Sequence, residues 1–191
     1  PGVTNDIDPN DGVQVGLSWL VDGVEVGVSG SSLNSQHFSK HQSVLCRATP
    51  NDGTEDGAFE DSNAVVIANT PPMIMLATLS PDPGFENDIL SCTPSGWSDL
   101  DNDSEGYAYE WYVDGALMPV VSDSLSGIYF DRGEEVSCVI TPNDGDDNGA
   151  PVSSNSVVIS NSAPTVSSMQ LSPDPAFEST TLNCAIGAQN D

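Results

Sequence analysis

The sequence predicts an all-β chain of tandem β-sandwich domains, and three observations carry that expectation. Apolar and polar residues alternate with the period of two of a strand, while no stretch follows the helical period. Turn residues interrupt these segments about every eight to twelve positions, the spacing of a sandwich of short strands. The chain also matches itself at an offset of 92 residues, a length typical of one domain.

The self-match runs through nearly the whole sequence. Trp19 falls on Trp111, Phe38 on Phe130, Cys46 on Cys138 and Cys92 on Cys184. Thr49-Pro-Asn-Asp-Gly53 falls on Thr141-Pro-Asn-Asp-Gly145, and Leu79-Ser-Pro-Asp-Pro83 on Leu171-Ser-Pro-Asp-Pro175. The junctions Asn69-Thr-Pro-Pro72 and Asn161-Ser-Ala-Pro164 contain proline, which ends regular structure, and set the expected boundaries. One complete domain is expected over 70–161. Residues 1–69 then carry only the later strands of a domain, and 162–191 only the opening strands of a further one.

Within 70–161 the strands read in order. Tyr107, Tyr109, Trp111 and Val113 point to one face while Ala108, Glu110 and Tyr112 point to the other. Val13, Val15, Leu17, Trp19 and Val21 repeat that alternation in the first copy. Val136, Cys138 and Ile140 form a second inward face, and Val157 to Ile159 the last strand. Asn143-Asp-Gly145 is a short-loop signal, its glycine providing the positive φ of a tight turn.

Composition narrows the function classes. Asp and Glu total 29 against three basic residues, Lys40, Arg47 and Arg132, for a formal charge of −26. Such a chain repels DNA, RNA and anionic membranes, so nucleic-acid binding is excluded on electrostatic grounds. No apolar run approaches the roughly twenty residues that span a bilayer, and direct membrane insertion of this segment is not expected. An acidic surface serves either solvation in salt or the capture of divalent cations.

Cys92, Trp111 and Cys138, in that order, resemble the core of an immunoglobulin domain, in which two sulfurs bridge the sheets and the indole packs on them. That resemblance implies a Cys92–Cys138 disulfide and an oxidising compartment. Residues 70–161 contain no lysine, so the Lys–Asn isopeptide bond of many bacterial surface domains is not available there. Together with Asn161-Ser-Ala-Pro164, Ser172-Pro-Asp-Pro175, Asp99-Leu-Asp-Asn-Asp103 and Tyr109-Glu-Trp-Tyr-Val-Asp-Gly115, the chain resembles the tandem immunoglobulin-like and cadherin-like repeats of large prokaryotic extracellular proteins. The resemblance implies an extracellular or cell-surface fibre, stalk or adhesin shaft, frequently calcium-stiffened. The chain departs from antibody domains in placing Val136 and Val44, not tyrosine, two residues before Cys138 and Cys46. It departs from cadherins in a linker without acidic residues.

Asp99, Asp101 and Asp103 have a spacing that converges hard oxygens on one cation, without the glycine and distant glutamate of an EF-hand. Asp6, Asp8 and Asp11 occupy the same loop of the first copy, and Asp191 aligns with Asp99 in the third. In a sandwich this loop shares one end with the last hairpin loop, so Asn143, Asp144, Asp146 and Asp147 are candidates to border the cluster. Calcium is the expected cofactor, against the plainer reading of a solvated loop.

Catalytic chemistry is not expected. His37 and His41 fall on Tyr129 and Gly133, so no metal-binding pair recurs, and 70–161 has no histidine from which to build a serine triad. The main alternative to a structural array is a glycan- or protein-binding adhesion module, for which Trp97 is the one candidate loop aromatic. Cys46 and Cys184 occupy the last-cysteine and first-cysteine positions of different copies. Each is expected to pair head-to-tail with a partner supplied by the continuing polypeptide or by a neighbouring copy.

Overall fold

The alternation of apolar residues produces strands throughout the computed structural model, which describes residues 12–190. Asp6, Asp8, Asp11 and Asp191 lie outside the described residues. The strands are β1 (Gln14–Val21), β2 (Val24–Ser29), β3 (Ser43–Asn51), β4 (Glu60–Asp61), β5 (Val65–Val66), β6 (Leu76–Ser80), β7 (Ile89–Ser95), β8 (Gly106–Val113) and β9 (Ala116–Met118). They continue as β10 (Ser124–Ser126), β11 (Glu135–Asn143), β12 (Val152–Ser153), β13 (Val157–Val158), β14 (Thr165–Val166), β15 (Met169–Ser172), β16 (Asn183–Ile186) and β17 (Gln189–Asn190). All strand pairs are antiparallel. The only helical pieces among the described residues are short 3₁₀ turns at Ser35–His37 and Gly127–Tyr129.

The chain divides into two compact units. The first holds residues 1–71 with the loops 99–104 and 144–147; the second holds 72–98, 105–143 and 148–191. The sequence boundaries at 69–72 and 161–164 differ from this division at two points. Both acidic loops group with the first unit, because their carboxylates bond Lys40, Asn69 and Thr70. Residues 162–191 group with the second.

In the second unit, sheet β10-β7-β6 and sheet β12-β11-β8-β9, with β13 also on β11, enclose one core. Leu79, Leu90 and Cys92 line it from the first sheet, and Trp111, Val136, Cys138, Ile140 and Val157 from the second; each is at most 2% exposed. The period-two pattern explains the division of faces, since Val157 is buried while Val158 is 58% exposed. Trp111 donates from Nε1 to the carbonyl of Ser122 at 2.8 Å, so the buried indole loses no hydrogen bond. Cys92 and Cys138 form a disulfide across the sheets, with Cα atoms 6.5 Å apart. Such a bond points to a non-reducing compartment. Among the described residues no helix is long and apolar enough to cross a membrane.

The first unit has one sheet among the described residues, β2-β1-β3-β4 with β5 on β3. Its strands stand 92 residues before those of the second unit, β1 before β8, β3 before β11, β4 before β12 and β5 before β13. The register follows, with Trp19 opposite Cys46 as Trp111 is opposite Cys138. Finer details recur too. Asp22 and Asp114 both take φ near +50° before a glycine, forming the Asp-Gly turns of β1–β2 and β8–β9. The Oδ1 of each then accepts the first amide of β3 or β11 at 2.9 Å. Ser62 and Ser154 accept the amides of Cys46 and Cys138 at 3.0 Å. Val15, read as inward, is 46% exposed.

Among the described residues after 161, β15 pairs with β16 and β14 with β17. The β15–β16 register, Leu171 opposite Cys184 and Ser172 opposite Asn183, reproduces Leu79 opposite Cys92 and Ser80 opposite Ser91 in β6–β7.

Candidate functional site

Carboxylates within a few residues of one another repel unless the backbone or a cation compensates them, and the loop at 99–104 shows both devices. Asp99 and Asp101 begin with a local turn in which the Asp101 amide donates to Oδ1 of Asp99 at 2.6 Å. Asn102 follows with φ of +60°, a left-handed conformation that asparagine tolerates. This folding brings one carboxylate oxygen from each of Asp99, Asp101 and Asp103 within 4.8 Å of the others. All three residues are half-buried. The Oδ2 of Asp101 accepts the amide of Thr70 at 2.7 Å, which ties the loop to the linker. The Oδ2 of Asp99 is buried and has no hydrogen-bond partner.

The second acidic loop of this unit is ordered by Asp144, the one buried charged residue among those described. Its Oδ1 accepts the amides of Asp146 and Asp147 at 2.8 and 2.7 Å, while its Oδ2 accepts Nδ2 of Asn69 at 2.8 Å. These donors, Asn69 first and the Asp147 amide next, pull its pKa down to about 2. Asn69 also donates to Oδ2 of Asp147 at 3.0 Å.

Lys40 is the residue that sequence reasoning missed. Its Nζ donates to Oδ2 of Asp103, to Oδ2 of Asp146 at 2.5 Å and to Oδ1 of Asn69 at 3.1 Å. The two carboxylates hold the ammonium pKa above the ordinary lysine value, so Lys40 is charged at any physiological pH. His41 Nε2 lies 3.6 Å from Oδ2 of Asp146. A sequence signal was present: Lys40 falls on Arg132 at the 92-residue offset, Asn69 falls on Asn161, and Arg132 donates to Oδ1 of Asn161 at 2.7 Å. In a chain with three basic residues, two at equivalent positions beside equivalent linker asparagines form a pattern.

Of the other predicted positions, Asn143 belongs to the second unit and donates from Nδ2 to Oδ1 of Asn148 at 2.8 Å. Cys46 is a half-buried free thiol and Cys184 an exposed one. Trp97 packs against the core of the second unit, edge-on to Tyr107 with ring centroids 5.7 Å apart, and does not stand out as a loop platform. The remaining basic residue, Arg47, makes a bidentate pair with Asp61 at 2.7 and 2.9 Å and covers the Phe59 ring at 3.7 Å.

Among the described residues the arrangement therefore offers a half-buried carboxylate triad and a network that fastens the linker to both acidic loops. Neither a protein-family model nor a curated protein matches the chain.

Proposed function

We propose that the chain is a structural segment of an extracellular fibre, stalk or adhesin shaft, built from tandem immunoglobulin-like sandwiches that are disulfide-stapled and stiffened by calcium. The observation that carries this reading is the recurrence, at one offset, of strands, register and capping hydrogen bonds. Repeats that contact only their neighbours add length with each copy, which suits a shaft.

Calcium fits the chemistry of the triad. Asp99, Asp101 and Asp103 present hard oxygens at close quarters, and the buried, unpartnered Oδ2 of Asp99 has a lone pair to offer a cation. Asp103 shares the Lys40 ammonium with Asp146, and a divalent ion would offset most of the charge that remains on the triad. The ion's role is electrostatic: it removes like-charge repulsion beside Thr70 and Asn69, the residues through which the linker is held. A glycan-binding role would call for exposed aromatic platforms, and the packing of Trp97 on Tyr107 favours the shaft.

Two measurements test the proposal. Antibodies against the chain should label intact cells without permeabilisation; labelling that requires lysis would overturn the extracellular assignment. Calcium should raise the thermal midpoint of the wild-type chain, and Asp99→Ala/Asp101→Ala/Asp103→Ala should remove that response while leaving the Cys92–Cys138 sandwich folded. A midpoint indifferent to calcium and chelator at low salt would remove calcium from the proposal.

A further inference from the structure

The charge of this chain is unevenly placed. Among the described residues, every charged residue within a strand belongs to sheet β2-β1-β3-β4 or to sheet β12-β11-β8-β9. No residue of β6, β7 or β10 is charged. The strands at the 92-residue offset, β15 and β16, carry no charge either.

Alternation sends Ala77, Leu79, Leu90, Cys92 and Leu125 into the core of the second unit and turns their neighbours outward. The outward face is a grid of hydroxyls. Ser91 lies between Ser80 and Ser124 in one row, and Thr93 stands beside Thr78 in the next. Thr78, Ser80, Ser91 and Thr93 are all exposed. Apolar side chains border the grid at its two ends, Leu76 at 54% exposure and Ile89 at 64%. The outer side of the facing sheet instead exposes Glu110 and Glu135.

We propose that this uncharged face is an interface between copies of the chain, with the β10-β7-β6 sheet of one packed side by side on the same sheet of another. Three properties name the occupant. Two copies of formal charge −26 repel wherever carboxylates face each other, and this sheet lets them close without burying one. A hydroxyl both donates and accepts, so a face of serines and threonines is complementary to itself, as a two-fold contact between identical copies requires. The face also lacks the aromatic rings on which sugars stack and the charges that would select an ionic partner.

The contact is small. Three short strands at sheet spacing offer about 300 Å² per copy, against the roughly 800 Å² per partner of a stable complex. One pair of faces therefore associates weakly, and faces repeated in series add through effective concentration. The interface needs no calcium and stands apart from the shaft reading.

The test is sedimentation equilibrium of the full chain carrying Cys46→Ser and Cys184→Ser, so that no chance disulfide links copies while the Cys92–Cys138 bond is kept. With chelator present, a reversible dimer should appear as protein approaches about 1 mM. It should strengthen from about 0.05 to about 0.5 M salt, as screening removes the repulsion between the rest of the two surfaces. Ser91→Glu, in the middle row, should weaken the dimer at least about tenfold, whereas Ala108→Glu on the outer side of the facing sheet should match its parent. Ser91→Lys mixed with Ser91→Glu should associate more tightly than Ser91→Glu alone, which a misfolded variant would not do. Monomers throughout the range, equal effects of Ser91→Glu and Ala108→Glu, or association that requires calcium would each overturn the proposal. Retardation of a monomeric chain on a dextran column, abolished by Ser91→Glu, would overturn it too and give the face to a neutral glycan. The shaft reading is judged separately, by cell-surface labelling.

Discussion

Asn69 donates a 2.8 Å hydrogen bond from Nδ2 to the Oδ2 of Asp144, joining the linker to an aspartate that is only 8% exposed. That contact and the amides of Asp146 and Asp147 favour the ionised carboxylate, lowering its pKa from 3.8 to about 2. A folded-state pKa below the unfolded one contributes stability that is complete above the unfolded value and disappears as pH falls through the folded value. The first unit should therefore lose stability from pH 4 down to pH 2. Asp144→Asn should lower the midpoint near pH 6 and flatten that decline, as followed by melting curves across the range.

Lys40 is the internal counter-ion of the acidic loops, bonded to Asp103 and Asp146. Lys40→Gln leaves these carboxylates without it. The variant should melt lower than wild type at low ionic strength, approach it as salt screens the repulsion, and show a larger gain on adding calcium. Calorimetry at two salt concentrations, with calcium and with chelator, checks all three outcomes.

The Cys92–Cys138 bond spans 46 residues, so on the chain-entropy model it stabilises the second unit by about 4 kcal/mol. Cys92→Ala/Cys138→Ala should cost about 2–5 kcal/mol in urea unfolding of the full chain. Non-reducing peptide mapping of wild type should show the bond directly.

Trp111 is fully buried and its Nε1 satisfies the Ser122 carbonyl. Trp111→Ala should cost about 3–5 kcal/mol through the cavity it leaves. Trp111→Phe, which keeps much of the volume but orphans the carbonyl, should cost less, about 1–3 kcal/mol. Comparing the two by urea titration separates packing from hydrogen bonding.

The strands of the second unit were legible because their alternation is set by burial on one face, as Tyr109, Trp111 and Val113 against Ala108 and Glu110 show. The disulfide followed from the resemblance carried by Cys92, Trp111 and Cys138. The acidic loop was legible as a cluster of oxygens, since Asp99, Asp101 and Asp103 lie close in sequence and come together by a local turn. Its partners were not. Lys40 and Thr70 reach it across 63 and 31 residues, as Asn69 reaches Asp144 of the second acidic loop across 75, and nothing in local periodicity encodes such separations. The packing of Trp97 was hidden for the same reason: its neighbour Tyr107 lies on β8, outside the loop that carries Trp97.

The scarcity of basic residues has a consequence for durability. A trypsin-type protease needs lysine or arginine at its cleavage point, and this chain offers only Lys40, Arg47 and Arg132. Each is occupied: Lys40 by Asp103 and Asp146, Arg47 by Asp61 and the Phe59 ring, Arg132 by Asn161. Arg47 lies besides within strand β3, where the backbone would have to unzip before it could enter an enzyme cleft. Between Arg47 and Arg132 the chain runs for 84 residues without a single cut site. The same charge bias that makes the segment acidic leaves such enzymes almost nowhere to begin.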